Sequence, residues 1–383
     1  MRKIDSERVP IYLWADEIDG ETLRQTKNIA NLPITFHHVA IMADAHAGYG
    51  MPIGGVLATE GAVIPNAVGV DIGCGMHAVR TTIDEITRKD LETIVSRIRS
   101  RIPLGYEHHT HPRSWEGFRE APEIKIVKQE LDSARHQLGT LGGGNHFIEI
   151  QKEPDGHIWV MVHSGSRNFG LKIAEEYHQK AKAFCTEHKI LPLDPNLAYF
   201  PIESRLGQEY MKGMTFALRF ARENRRQLME DVLEILRETL GPFEIEDSVD
   251  IHHNYASLER HYGKEVIVHR KGATSARRNQ RGIIPGSQGT SSYIVEGKEN
   301  DLSFHSCSHG AGRRLGRNEA RKKLDLQEEM RRLEEQGIIH AVRKPRDLDE
   351  AAGAYKDIHQ VMDAQKDLVE IVLELRPLAV VKG

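Results

Sequence analysis

The sequence predicts an α+β fold, formed as one domain over residues 1–383 with helical insertions. Short runs rich in β-forming residues alternate with helical stretches, and no low-complexity linker or tandem repeat divides the chain. Polar motifs rich in glycine occur from Asp44 to Lys382, on both sides of every helical stretch. Only a fold that involves the whole chain brings such distant motifs together, so we do not expect separate modules.

Runs of β-branched and aromatic residues predict strands in four places. These runs are residues 38–41, 158–162, 266–268 and 292–295. Glycine-rich turns adjoin them, as is usual where a strand ends beside a ligand. The chemically interesting motifs therefore lie mostly at predicted strand ends.

Apolar residues at helical spacing predict helices between these strands. The stretches are residues 91–98, about 204–240, about 317–336 and 357–375. In the longest stretch, Leu228, Val232, Ile235 and Leu236 form an apolar stripe, whereas the stretch from 317 is strongly charged.

The composition is that of a soluble globular protein without an overall basic charge. The net charge is −4, with 39% hydrophobic and 28% charged residues, so bulk charge gives no indication of nucleic-acid binding. Three cysteines argue against a disulfide framework and for a reducing compartment. No signal-peptide pattern and no run approaching about 20 apolar residues is visible. We expect a cytoplasmic protein with no membrane association.

Six segments that carry histidine or cysteine have the character of parts of one metal site. They contain Asp44 with His46, Asp71 with Cys74, Asn145 with His146, His163, His252 with His253, and His309. Cysteine binds metals as thiolate, although a buried apolar cysteine is also common. The two adjacent histidines point to opposite faces of a strand, so only one of them is expected in the site. By ligand type alone, zinc or iron is favoured over magnesium.

Two glycine-rich loops are suited to a phosphate-bearing ligand. Residues 142–144 are three consecutive glycines that expose backbone N–H groups, directly before Asn145, His146 and Glu149. The second loop, residues 284–292, combines glycine with hydroxyl side chains. Cations near it fit a polyanion groove or, alternatively, a solvated charged surface. These cations are Arg270, Lys271, Arg277, Arg278 and Arg281.

His309 lies in a turn of small residues, where its imidazole is unencumbered. Such a histidine is either a metal ligand or a nucleophile that forms a phosphoramidate. Together the residue types predict a metal-dependent phosphoryl- or nucleotidyl-transfer enzyme. No P-loop, Rossmann fingerprint or paired Cys-x-x-Cys zinc motif is present.

In their order along nearly the whole chain, these motifs resemble the RtcB family of GTP- and manganese-dependent RNA ligases. The matching segments are residues 44–50, 68–76, 144–147, 163–167, 253–254, 270–273, 284–287, 308–313, 354–357 and 382–383. The resemblance implies an RtcB-like α+β domain whose active site lies in a central cleft.

The resemblance also implies roles for individual residues. The ligands of two Mn²⁺ ions would be Asp71, Cys74, His146, His163 and His253, with Cys74 shared. His309 matches the guanylylated histidine. Positions around GTP would be Asp44, Asn145, His146, Phe147, Glu149, Asn254, Pro285, Gly286, Ser287, Gln288, Ser292, His309, Gly310, Ala311, Gly312, Tyr355 and Lys382. RNA phosphates would contact Arg167, Arg313 and Arg317. The resemblance implies manganese, whereas ligand type favoured zinc or iron. We follow the resemblance, because the order of metal affinities for a site does not by itself decide which metal is used.

The implied activity joins an RNA 3′-phosphate or 2′,3′-cyclic phosphate end to a 5′-hydroxyl end, in RNA splicing or repair. It proceeds through a histidine–GMP adduct and a guanylylated RNA 3′ end, and an archease-type activator is a possible partner. Alternatives are a 3′-phosphate capping enzyme, a cyclic phosphodiesterase that needs neither His309 nor Lys382, and a non-catalytic RNA-binding relative. Three departures from the family pattern, at Ala43, Asn168-Phe169 and Gln288, bear on substrate range.

Overall fold

The computed structural model describes all 383 residues and confirms the α+β class. The strands are β1 Arg2–Ile4, β2 Ile11–Leu13, β3 Thr35–His46, β4 Ile53–Thr59, β5 Ala62–Val63, β6 Gly75–Thr81, β7 Phe147–Lys152, β8 Ile158–Ser164, β9 Phe200–Pro201, β10 Ile245–His252, β11 Asn254–His261, β12 Lys264–Lys271, β13 Ala273–Ser275, β14 Arg281–Ile284, β15 Ser292–Gly297, β16 Ser306–Ser308 and β17 Val369–Lys382. The helices are α1 Gly20–Ala30, α2 Pro65–Val68, α3 Arg88–Arg101, α4 Lys125–Gln137, α5 Arg167–Glu187, α6 Arg205–Leu240, α7 Arg317–Lys323, α8 Leu326–Glu335 and α9 Ile358–Ala364. None of these helices is both long enough and apolar enough to cross a membrane.

Two large sheets form the framework. One has the strand order β1-β2-β3-β4-β12-β11, and the other has the order β10-β6-β8-β7-β17-β15-β14. The two edge strands of the second sheet, β10 and β14, also contact each other, so this sheet curls round. A small apolar core that includes Met76, Trp159, Met161, Ile283 and Leu375 is associated with it.

Helix α6 confirms the longest predicted helix almost to the residue. The Ser204 hydroxyl accepts a hydrogen bond from the Gly207 N–H at its start (3.0 Å), and the helix ends at Leu240. The predicted stripe of Leu228, Val232, Ile235 and Leu236 is fully buried against α3 and the sheet. Because an N-cap and an apolar stripe are both local signals, the sequence was sufficient to locate this helix. The four predicted strands lie within β3, β8, β12 and β15, and α3 covers residues 91–98.

The two helices predicted towards the end of the chain require correction. The stretch 317–336 is two helices, because the chain leaves the helical conformation at Leu324 and Asp325 caps α8. The predicted helix 357–375 is wrong beyond Ala364, and β17 begins at Val369. Residues 369–373 include β-branched Val and Ile, which suit a strand as well as a helix. Pairing with β15 and β7, far away in sequence, decides between them.

The second sheet brings the predicted ligands to one end of its strands. Phe147, the first residue of β7, pairs with His163 of β8 on one side and with Lys382 of β17 on the other. Cys74 and His146 directly precede β6 and β7. Since neighbouring strands here are antiparallel, the start of one strand lies beside the end of the next along this side of the sheet. Residues hundreds of positions apart in sequence therefore lie side by side.

Candidate active site

The five predicted metal ligands form one compact cluster around the Cys74 thiol. Its Sγ lies 3.4 Å from His146 Nε2 and 3.2 Å from His163 Nε2. His163 Nε2 lies 3.4 Å from His253 Nε2, and His146 Nε2 lies 2.9 Å from Asp71 Oδ2. The ligand atoms separate into two groups, Cys74 with His163 and His253, and Asp71 with Cys74 and His146. This arrangement can hold two metal ions that share Cys74.

The protonation states of this cluster suit metal binding. Burial lowers the pKa of His163 and of His253 well below the usual value, which keeps both rings in the neutral form that binds metals. The Asn145 carbonyl accepts a hydrogen bond from His163 Nδ1 (3.0 Å), so the lone pair of Nε2 faces Cys74. Burial raises the pKa of the Cys74 thiol, and a bound cation would lower it again. The side chains therefore fit divalent cations.

Two glycines are required for close approaches in this site. A Cβ at Gly165 would lie 2.2 Å from Asp71 Oδ1. A Cβ at Gly312, which has a φ of +72°, would lie 2.1 Å from the Asp44 carbonyl oxygen. Any side chain at either position would displace the carboxylate of Asp71 or the backbone of Asp44. The glycines in the motifs thus have a steric role that the sequence only suggested.

His309 is paired with the fully buried carboxylate of Asp44. Asp44 Oδ2 accepts hydrogen bonds from His309 Nδ1 (2.6 Å) and from the His309 backbone N–H (3.1 Å). Burial acts to raise the pKa of Asp44, but His309, His46 and Lys356 together outweigh it and leave the pKa lowered. An ionised Asp44 accepts the hydrogen bond from Nδ1, so that in the neutral ring the proton lies on Nδ1 and Nε2 carries the lone pair. The His309 ring contacts the His253 ring, with centroids 4.7 Å apart.

The ligand cluster and His309 open into one cleft of about 830 Å³. Of the residues predicted around the nucleotide, the cleft is lined by Asn145, Phe147, Glu149, Asn254, Pro285, Gly286, Ser287, Gln288, His309, Gly310, Ala311, Gly312, Tyr355 and Lys382. Asp44, His146 and Ser292 are buried behind the surface. Ser292 instead shapes a cleft loop, because its hydroxyl accepts from the Gly286 N–H (3.2 Å) and from Gln151 Nε2 (3.0 Å).

Comparison with known proteins identifies the family. The sequence matches the family model described as "tRNA-splicing ligase RtcB" over residues 25–130 and 107–383. The chain belongs to the RtcB family. It is 37% identical to the RNA-splicing ligase RtcB of Escherichia coli K12, over 99% of each chain. It is 33% identical to the tRNA-splicing ligase RtcB of Nanoarchaeum equitans, over 98% of this chain and 95% of the relative.

Glu149 is a buried acidic group and Lys382 a partly buried basic group in the cleft of this RtcB-family chain. Burial raises the pKa of Glu149 to about 8, although Gln151 and Lys382 both act to lower it. Burial lowers the pKa of Lys382, whose ammonium lies 5.8 Å from the centre of the Phe147 ring. Both groups are therefore poorly solvated before any ligand binds. A ligand that supplies hydrogen-bond donors to Glu149 would favour its charged form.

The three arginines predicted to contact RNA have different surroundings. Arg313 and Arg317 both pair with Glu350, at 3.1 and 2.9 Å, and both line the RtcB cleft. The Arg317 side chain is 51% exposed, compared with 15% for Arg313, so Arg317 is the freer of the two. Arg167 donates to Thr140 Oγ1 (3.0 Å) and to the Gly105 carbonyl (2.7 Å), and it does not line the cleft. Their role towards RNA stays a prediction.

Two of the cations predicted for a polyanion groove are internal. Arg270 is fully buried, pairs with Glu259, and donates to the Ser306 hydroxyl and the Phe304 carbonyl at 2.9 Å each. Lys271 donates to the Tyr49 carbonyl (2.8 Å) and the Asn66 carbonyl (3.0 Å). These two residues support the strands around the RtcB site instead of forming a solvent-exposed groove.

Sequence reasoning missed Lys356 and Glu350, which position the RtcB site, and it gave Arg270 a different role. The Lys356 ammonium donates to the carbonyls of Ala45 (2.7 Å) and Ala43 (3.3 Å), on either side of Asp44. Glu350 holds the two cleft arginines, and Arg270 anchors the strand that leads to His309. Lys356 lies in the matching segment 354–357, next to Tyr355, so the sequence did contain a signal that could have identified it. Glu350 lies in an ordinary charged stretch and had none.

Proposed function

We propose that this chain is an RNA ligase that joins a 3′-phosphate or 2′,3′-cyclic phosphate end to a 5′-hydroxyl end. It uses GTP and two Mn²⁺ ions, and His309 is the residue that becomes guanylylated. The observation that most supports this proposal is the hydrogen bond between His309 and Asp44, beside two ligand groups that share Cys74. A cyclic phosphodiesterase would need the metal ligands but no activated histidine, so the pairing favours the ligase.

His309 is arranged to act as a nucleophile through Nε2. Because Asp44 holds the proton on Nδ1, the Nε2 lone pair can attack the α-phosphorus of GTP. The new N–P bond forms as the bond between the α-phosphorus and the bridging oxygen breaks, and pyrophosphate leaves. The ring becomes cationic when Nε2 is bonded to phosphorus. The buried Asp44 carboxylate stabilises that charge.

Transfer and sealing complete the proposed reaction. An oxygen of the RNA 3′-phosphate attacks the guanylyl phosphorus, the N–P bond breaks, and neutral His309 is regenerated. The 5′-hydroxyl then attacks the 3′-phosphate phosphorus and GMP leaves. A 2′,3′-cyclic phosphate is first opened by water to a 3′-phosphate.

The residues around the cleft divide these tasks. Asp71, Cys74, His146, His163 and His253 would hold the two Mn²⁺ ions. Bound there, divalent ions neutralise phosphate oxygens and align the attacking and leaving groups. Glu149 would accept the N–H donors of guanine, and Lys382 and Tyr355 line the same cleft. Arg167, Arg313 and Arg317 would bind RNA phosphates. An archease-type activator and a cytoplasmic location stay predictions.

Guanylylation of the protein tests this proposal directly. Incubation with GTP labelled at the α-phosphate and with Mn²⁺ is expected to give a protein–GMP bond that is labile to acid and stable to base. His309→Ala should give no adduct, yet it should still seal RNA whose 3′ end already carries the guanylyl group. His188→Ala, at an exposed histidine, is the matched control. An adduct of normal yield in His309→Ala would refute the nucleophile assignment.

A further inference from the structure

Tyr49 presents an aromatic ring to solvent on the wall of the active-site cleft. The residue is 74% exposed, although it lines the same cleft as Asp71 and His309. Val70, 47% exposed, also lines the cleft and directly precedes Asp71. Apolar and aromatic side chains on the wall of a cleft are placed to contact a ligand that enters it. None of the steps derived for His309 and the metal ligands uses these two residues.

The backbone of Tyr49 is held firmly, so the exposure of its ring does not reflect a loose loop. Its carbonyl accepts hydrogen bonds from Lys271 Nζ (2.8 Å), Asn66 Nδ2 (3.1 Å) and the Met51 N–H (2.9 Å). Gln25 makes two hydrogen bonds to the backbone of the preceding residue, Gly48, at 2.7 and 3.0 Å. Five hydrogen bonds thus fix a segment whose largest side chain contributes little to packing. Because the backbone is already fixed, little backbone entropy is lost when a ligand stacks on the ring.

The two apolar residues are linked to each other through Lys271. Its ammonium binds the Tyr49 carbonyl, while its aliphatic chain lies against Gly69, beside Val70. This contact places the Tyr49 segment next to the segment that carries Asp71. Because the Lys271 ammonium is occupied by two carbonyls, this wall of the cleft offers an apolar surface more than a positive charge. The cations Arg313 and Arg317 also line the cleft.

We propose that Tyr49 is a stacking platform for a nucleobase of the RNA, within the first two nucleotides of an end being joined. This inference rests on the proposed function and adds a binding residue to it. Single-stranded RNA ends expose unstacked bases, and proteins bind such bases on aromatic rings while cations bind the phosphates. Stacking tolerates every base, which suits a ligase that must accept ends of different sequence. Val70 extends the apolar surface beside the ring.

The test combines variants of Tyr49 with RNA that lacks single bases. The affinity of the manganese-loaded full chain for a 3′-phosphate RNA and for a 5′-hydroxyl RNA is measured by fluorescence anisotropy. Tyr49→Ala and Tyr49→Leu should weaken the binding of one strand on the order of tenfold, and Tyr49→Phe should not. Guanylylation without RNA should stay normal in all three. Tyr262→Ala, at a partly exposed tyrosine that does not line the cleft, is the matched control.

An abasic site at each of the two terminal nucleotides of each strand then identifies the stacked base. At one position, removal of the base should lower the RNA affinity of the unaltered protein. It should not change the RNA affinity of Tyr49→Ala, because that variant has already lost the contact. Equal RNA affinity of Tyr49→Ala and the unaltered protein would overturn the proposal. The exposed ring would then be assigned to contact with a partner protein instead. Failure of the unaltered protein to form a GMP adduct or to bind RNA would instead overturn the proposed function.

Discussion

Replacement of Glu149 by glutamine is expected to stabilise the empty protein at neutral pH and to weaken GTP binding. Glu149 is buried, and its pKa is raised from 4.5 to about 8. Glutamine has the same shape and keeps an oxygen that can accept the hydrogen bond from Gln151. It differs mainly in that it cannot ionise in the unfolded chain.

The size and sign of the effect follow from the two pKa values. Below pH 4.5 the carboxyl is protonated in both the folded and the unfolded protein, so Glu149 costs no stability there. As the pH rises towards 8, the unfolded chain ionises while the folded protein keeps the proton, and about 1.4 kcal/mol of stability is lost per pH unit. At pH 7 the loss is about 3 kcal/mol. With an unfolding entropy of about 2.1 cal/mol/K per residue, Glu149→Gln should raise Tm by about 4 °C.

Thermal denaturation of the metal-free protein between pH 4.5 and pH 8 measures this difference. The gap between Glu149→Gln and the unaltered protein should vanish near pH 4.5 and widen as the pH rises. Glu187→Gln, at an exposed glutamate, should show no such trend. GTP affinity should fall at the same time, because guanine presents two donors to this position and glutamine has only one acceptor. A Tm difference that is independent of pH would refute the reasoning.

Three further substitutions test the cleft. Asp44→Asn should slow guanylylation on the order of 10²–10⁴-fold, because an amide does not hold the proton on His309 Nδ1 as a carboxylate does. A normal rate of labelling by GTP would contradict this. Cys74→Ala should reduce bound manganese and every chemical step together, and full occupancy by metal analysis would show Cys74 to be a packing residue. Arg317→Ala, at the more exposed cleft arginine, should leave guanylylation intact, weaken RNA binding by about 1–3 kcal/mol and reduce its salt dependence. Equal loss of guanylylation would place Arg317 on GTP.

Local signals explain which elements the sequence predicted well. Helix α6 has an N-cap at Ser204, an apolar stripe and a glycine just after Leu240, so its bounds were readable from adjacent residues. Residues 365–375 lacked such signals. The same apolar residues suit a helix or a strand, and only the pairing of β17 with β15 and β7 made them a strand. That pairing also brings Lys382 beside Phe147 at the cleft.

The sequence by itself determined the α+β class and the residue types of the candidate site. A thiol, imidazoles and carboxylates in glycine-rich motifs indicated metal-dependent phosphoryl chemistry, and the order of the motifs indicated the family. Only the tertiary structure decided which residues are partners. Asp44 and His309 are 265 positions apart, and Arg270 is neutralised by Glu259 inside the protein. Motif chemistry is local, whereas hydrogen bonding and burial depend on which strands become neighbours when the chain folds.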